Sequence, residues 1–335
     1  DAFGFIWIAT QDGLFRFNGK SFEIIKNNTG TTNSTMGNAF SDVEIGDDNK
    51  VYTADYYYGI DILDATTWQV NYIGAENYAE HKLPNYWIEK ICVDKQLNLW
   101  LGGKGYMAVK RKKDRSFIIL DDLPGLPEGI NVNFIKQVSD NTVAVGVADY
   151  GIIFYNIHTL QQSSVIKVAD DAFAGQAVND FCRNGDTAFA ITNRAIVKGI
   201  IIENKWRTLF AYTPPTLNNL LTTCLAADKR NGLWIGTNAG IVYFNTATQK
   251  SFVYKADKKK NNWLKDNFIN HLMIDSQDNL WISTFNVLQM ASLRGNQFQS
   301  YSGDKEGSDY MEHIYSLVPK SKTEIFCTGT DGLYI

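Results

Sequence analysis

This sequence has little of what chemistry usually requires. Histidine occurs four times, at 81, 158, 271 and 313, with no HxH or HxxxH spacing, so a histidine-based metal centre is not expected. Cysteine also occurs four times, at 92, 182, 224 and 327, never as CxxC. Each cysteine lies in an apolar run such as Ile91-Cys92-Val93, which describes small buried hydrophobes and not a disulfide or metal framework. Positive charge is not in excess: 32 Lys+Arg face 36 Asp+Glu, a formal net charge of -4, whereas nucleic-acid binding needs a basic footprint. No apolar run approaches the roughly 18 residues that span a bilayer, and helical 3.6-residue periodicity is scarce. No leader is visible; the chain opens on Asp1-Ala2-Phe3-Gly4, already inside a repeat, as a fragment would.

What is present is a packed globular composition. Hydrophobic residues make up 44%, aromatics 13% and charged residues 20% of 335 positions, a length that suits a repeat architecture better than one ordinary domain. The repeat is explicit in Gly232-Leu233-Trp234-Ile235-Gly236-Thr237-Asn238-Ala239-Gly240-Ile241, a strand, a tight turn and a second strand. Copies of it place anchors at Trp7, Tyr52, Trp100, Ala144, Phe189, Trp234, Trp281 and Phe326, separated by 45, 48, 44, 45, 45, 47 and 45 residues. A strand-like unit recurring every 45 or so residues is the signature of a four-stranded propeller blade. The expected fold is therefore an all-β, seven-bladed β-propeller of four-stranded antiparallel blades. Its expected units are about 1–39, 40–87, 88–131, 132–177, 178–220, 221–268 and 269–313. Residues 314–335 start an eighth repeat, which either closes the ring or opens a second propeller.

Within each period the strands follow in the order a, b, c, d, with the anchor on b. The a–b turns are rich in Asp, Asn and Gly, as in Asp228-Lys229-Arg230-Asn231-Gly232, which suits tight hairpins. In a meander the b–c turns share one face with the long d–a connections at 27–39, 75–87, 122–131, 168–177, 214–220, 256–268 and 304–313. Long loops on a rigid scaffold are where binding usually resides. Several b–c turns and d–a loops also carry residues that a purely structural turn does not need. The candidate ligand-binding set is Tyr56, Tyr57, Tyr58, Tyr86, Trp87, Tyr106, Asp149, Tyr150, Arg194, Trp263, Phe285, Asn286 and Tyr310. Flat rings cover the C–H faces of sugars while Asp, Asn and Arg bond hydroxyls. The competing reading is that such rings cap neighbouring blades.

Other suggestive stretches have plainer accounts. Gly102-Gly103-Lys104-Gly105 lacks the frame of a phosphate loop and falls where a b–c turn belongs. Lys110-Arg111-Lys112-Lys113 fits a charged c–d hairpin. Lys258-Lys259-Lys260 beside Asn261-Asn262-Trp263 suits either a solvated loop or an anionic or hydroxyl-rich ligand. Asp121-Asp122 and Asp170-Asp171 are not placed at a glycosidase separation by anything in the sequence.

The run from Asp1 to Gly19, with Phe5-Ile6-Trp7-Ile8-Ala9-Thr10-Gln11-Asp12-Gly13-Leu14 at its centre, resembles the two-component regulator propeller repeat. So do Asn231–Thr237 and Asp278–Thr284; repeats two, four and five match more weakly. The resemblance implies the extracytoplasmic sensor part of a hybrid histidine kinase controlling polysaccharide use. In that family paired propellers precede an immunoglobulin-like domain, a membrane helix and cytoplasmic kinase and regulator domains. The family's phosphotransfer residues fall outside this chain. On this reading the fragment is periplasmic, part of an inner-membrane protein, and has no catalytic residues, metal or cofactor. Its partners are an oligosaccharide or other small solute and downstream domains of the same chain, with a homodimer compatible. The alternatives are a propeller polysaccharide lyase or glycosidase, or a protein-interaction scaffold.

Overall fold

The computed structural model describes residues 1, 3, 5–9, 13–17, 22–28, 34–170, 172–173, 175–257, 259–260, 263–275, 278–284, 288–294, 297–301, 327–329 and 332–334. A three-stranded sheet comes first: β1 (Ile6–Ala9), β2 (Leu14–Phe17) and β3 (Phe22–Ile25). Blade I is β4 (Phe40–Ile45), β5 (Lys50–Asp55), β6 (Gly59–Asp64) and β7 (Val70–Gly74). Blade II is β8 (Ile88–Val93), β9 (Leu99–Gly103), β10 (Tyr106–Lys110) and β11 (Ile118–Ile119). Blade III is β12 (Val132–Ser139), β13 (Thr142–Val147), β14 (Gly151–Asn156) and β15 (Gln162–Lys167). Blade IV is β16 (Asp180–Asn184), β17 (Thr187–Ile191), β18 (Ile196–Ile202) and β19 (Lys205–Tyr212). Blade V is β20 (Thr222–Ala227), β21 (Gly232–Thr237), β22 (Gly240–Asn245) and β23 (Ser251–Tyr254). Blade VI is β24 (Ile269–Ile274), β25 (Asn279–Thr284), β26 (Leu288–Ser292) and β27 (Gln297–Tyr301). A hairpin of β28 (Cys327–Gly329) and β29 (Gly332–Tyr334) ends the described strands.

Neighbours in sequence are neighbours in each sheet. Registers run antiparallel, as in Leu233↔Phe244 and Phe244↔Ser251 of blade V. The all-β propeller class and the four-stranded blade therefore hold, but the blade number does not: among the described residues there are six four-stranded blades, not seven. A sequence period counts copies of strand b, whereas a blade needs four paired strands. The first copy belongs to a sheet of three strands and the last to a hairpin of two. The eighth repeat's expected first strand, at 314–317, lies outside the described residues. Two compact units divide the chain: Glu44–Asn219 forms one, and Asp1–Val43 with Leu220–Ile335 the other.

Strand b is apolar along its whole length because it is covered on both faces. Every residue of β21 and of β13 is buried, so these strands lose the in-out alternation of a one-sided sheet. The outermost strands instead face solvent, as β19 does along most of its length. Each apolar cluster of the Glu44–Asn219 unit spans two consecutive blades. Trp100 of β9, fully buried, packs with Tyr155 of β14 at 5.4 Å between ring centres. The glycine of the motif serves this stacking. A Cβ on Gly102 would stand 2.7 Å from Cβ of Val132 on the next blade's β12, and one on Gly236 would stand 2.8 Å from Cγ2 of Ile269 on β24.

An aspartate six residues before the anchor ties the a–b turn to strand b. Asp94 Oδ1 accepts the N–H groups of Gln96 (2.8 Å) and Asn98 (2.9 Å). Its Oδ2 accepts Trp100 Nε1–H at 2.7 Å and Asn98 Nδ2–H at 2.9 Å. The same carboxylate–indole bond joins Asp1 to Trp7 (2.6 Å), Asp228 to Trp234 (3.0 Å) and Asp275 to Trp281 (3.0 Å). Where the anchor lacks an N–H, at Ala144 and Phe189, the aspartate is absent too: Val138 and Arg183 stand there.

Candidate functional site

Three of the b–c turns are held by a side chain at, or just after, the end of strand b. Thr237 Oγ1 accepts Ala239 N–H at 3.0 Å, and Thr192 Oγ1 accepts Ala195 N–H at 2.9 Å. Blade I has Asp55 at this position, 1% exposed, whose Oδ1 accepts the N–H groups of Tyr57 (2.7 Å) and Tyr58 (3.0 Å). A side chain that bonds its own backbone two and three residues on is a turn-forming device. Here it fixes three consecutive tyrosines at the end of the blade, with Tyr57 58% and Tyr58 45% exposed.

The d–a loop from blade I to blade II comes to the same place. Trp87 lies 5.9 Å from Tyr57 between ring centres at 58° between planes, and Tyr56 lies 6.4 Å from Tyr57. Tyr86 packs edge-on against Tyr78 at 5.4 Å. The loop is laced to the b–c turn of blade II. Lys104 N–H donates to Trp87 O (3.0 Å), Asn85 Nδ2–H to Lys104 O (3.1 Å), and Trp87 N–H to Asn85 Oδ1 (2.9 Å). These bonds set the Lys104 ammonium 4.2 Å from the centre of the Trp87 ring, a cation–π contact.

A cavity of about 360 Å³ adjoins this cluster, lined by Pro84, Lys104, Tyr106, Leu120, Asp121 and Glu128 among others. Its volume sits near the lower end of ligand pockets, roughly 300–1,000 Å³. Gly105, at φ +83°, pairs with Ile130 across the turn and the d–a loop, and Ala148 N–H donates to Asn131 O at 2.9 Å. The b–c turns and d–a loops of this unit thus meet on one face, as meander topology requires.

The other candidates divide. Tyr106 is buried, with its hydroxyl donating to Asn85 O at 3.0 Å and its ring in the space that a Cβ on Gly103 would need; burial pushes its phenol upward from the usual tyrosine range. Tyr150 is buried and donates to Pro124 O at 3.3 Å, with the Lys167 ammonium over its ring. Both rings hold the d–a loops in place. Asp149, at φ +60°, and Arg194 are exposed on the b–c turns of blades III and IV. Trp263 belongs to the other unit, where its Nε1–H donates to Lys255 O at 2.7 Å and Lys260 lies 4.8 Å from its ring centre. Phe285, Asn286 and Tyr310 lie outside the described residues. Sequence reasoning passed over Asp55 and treated Lys104 only as part of a glycine turn. An acid where blades IV, V and VI have threonine was the available signal for Asp55.

Residues 264–286, which carry β24 and β25, match the family model described as "Two component regulator propeller". No curated protein matches the chain. Among solved structures, the extracellular domain titled as a one component system, BT4673 from B. thetaiotaomicron, aligns at TM-score 0.64 and 15% identity over 98% of this chain and 48% of that one. An extracellular domain titled as the hybrid two component system BT4673, from the same organism, aligns at TM-score 0.66 and 18% identity over 99% of this chain and 42% of that one. The computationally designed Ika8 protein aligns at TM-score 0.64 and 13% identity over 99% of this chain and 93% of that one. At these identities the likeness is one of fold, and the chain spans about half or less of the two bacterial domains. With its repeated Asp–Trp strand unit and its blade architecture, this chain is similar to the two-component regulator propeller repeat family, whose model matches it at residues 264–286.

Proposed function

We propose that this chain is the ligand-sensing propeller of a sensor histidine kinase of the hybrid two-component type, placed outside the cytoplasm in the periplasm. Its ligand is a glycan-like solute, held by the aromatic turns of blades I and II. The observation that carries this reading is the exposed Tyr57–Tyr58 turn beside Trp87, held in place from below by buried Asp55. Exposed rings fixed by backbone bonds lose little freedom on binding, which favours affinity. The two bacterial extracellular domains of similar fold are described as parts of one- and two-component systems, which supports a role in signal transduction. Binding biases the arrangement of downstream domains or of a homodimer to the extent that the ligand prefers one arrangement. The module acts by binding and not by turnover.

The test is calorimetry of the purified chain against a panel of oligosaccharides, with Tyr57→Ala as the probe variant. Loss of an exposed aromatic anchor is expected to weaken binding by about 2 kcal/mol, with the unfolding midpoint unchanged. Unaltered affinity in Tyr57→Ala removes the aromatic turn from the site. Release of shortened sugars during the titration replaces sensing with a lyase or glycosidase.

A further inference from the structure

The chemistry around Trp87 narrows the ligand further, given the saccharide-sensing reading above. Lys104 is exposed, and its ammonium is fixed over the Trp87 ring without a carboxylate partner among the described residues. Other cations of this unit do meet carboxylates, as Lys95 meets Asp140, Arg115 meets Glu80 and Lys136 meets Asp180. The indole Nε1–H of Trp87 is buried and has no acceptor among the described residues. A buried donor without a partner is destabilising, and a ligand oxygen that reached it would recover that loss. A fixed, unneutralised cation and an unmet donor thus stand on one ring, 5.9 Å from the exposed Tyr57 ring. Asp121 and Glu128 line the neighbouring cavity together with Lys104, and their charge disfavours an anion inside it. The Trp87 ring, which meets both Lys104 and Tyr57, is then the place where the ammonium can face negative charge beside an exposed ring.

We infer that the solute recognised here is an acidic saccharide, a sugar bearing a carboxylate or a sulfate. One pyranose face lies on Tyr57 and the anionic group is held by Lys104. A compact ammonium serves either acid as a point charge, so the shared chemistry is the anion.

The experiment is calorimetry of the purified chain with two matched pairs: a uronate trisaccharide against its methyl ester, and a sulfated galacto-oligosaccharide against its unsulfated parent. Wild type is compared with Lys104→Gln and Tyr57→Ala. The expected result is that one acidic member binds roughly tenfold or more tightly than its neutral partner. Lys104→Gln should erase that difference, and added salt should weaken only the acidic member. Which pair shows the preference identifies carboxylate or sulfate. Equal affinity for acidic and neutral members, unchanged by Lys104→Gln but lost in Tyr57→Ala, overturns the acidic-ligand inference while leaving saccharide sensing intact. Absence of binding by all four sugars overturns both.

Discussion

Replacing Asp94 with alanine tests the account of what holds strand b in place. The carboxylate accepts four donors, from Gln96 N, Asn98 N, Asn98 Nδ2 and Trp100 Nε1, at 2.7–2.9 Å. Gln96 is exposed and its N–H can turn to water. Asn98 and Trp100 are buried, so their donors are stranded, although Asn98 Nδ2 keeps a bond to Ile157 O at 2.8 Å. With about 1–3 kcal/mol for each stranded donor and partial relief at Asn98, Asp94→Ala should cost about 3–5 kcal/mol. Asp48 is the internal control, because Tyr52 OH reaches it only at 3.4 Å; Asp48→Ala should cost less than about 1 kcal/mol. The assay is urea unfolding followed by far-ultraviolet circular dichroism, with Trp100→Phe completing a double-mutant cycle. Phenylalanine has no N–H, so Asp94→Ala should cost about 1–2 kcal/mol less in that background. If Asp94→Ala is no worse than Asp48→Ala, or is strictly additive with Trp100→Phe, the carboxylate–indole bond is not what secures the strand.

Gly102→Val should destabilise by about 3 kcal/mol or more, since Val132 of the neighbouring blade already fills that space; an unfolding midpoint within experimental error of wild type refutes the close-approach account. Lys136→Met, which breaks the 2.6 Å pair with largely buried Asp180, should cost about 1–3 kcal/mol. Lys95→Met removes an exposed pair and should cost about 0–1 kcal/mol; equal losses in the two variants would show that burial does not set the strength of these pairs. Asp55→Ala should loosen the tyrosine turn, seen as faster amide exchange at Tyr57 and Tyr58 and as weaker sugar binding. Unchanged exchange at both amides assigns the turn's rigidity to something else.

The chain's own residues determined the scaffold to the level of the strand. Trp7, Trp100, Trp234 and Trp281 recur at multiples of a blade's period, and each lies inside a strand b, because a repeated sequence asks for a repeated local structure. The meander followed from short turns, and with it the face on which b–c turns and d–a loops meet. The number of four-stranded blades was not available from the period, since a motif copy does not reveal whether a fourth strand pairs with it. Ring orientation was equally out of reach. Tyr57 and Tyr106 are both tyrosines at b–c turns, yet Asp55 turns the first outward, while the vacancy above Gly103 and the carbonyl of Asn85 draw the second inside. The approach of Lys104 to Trp87 joins a turn to a loop from the preceding blade boundary, and only tertiary packing brings those two segments together. Local pattern thus determined which residues form strands, and packing between blades decided which side chains remain free to meet a ligand.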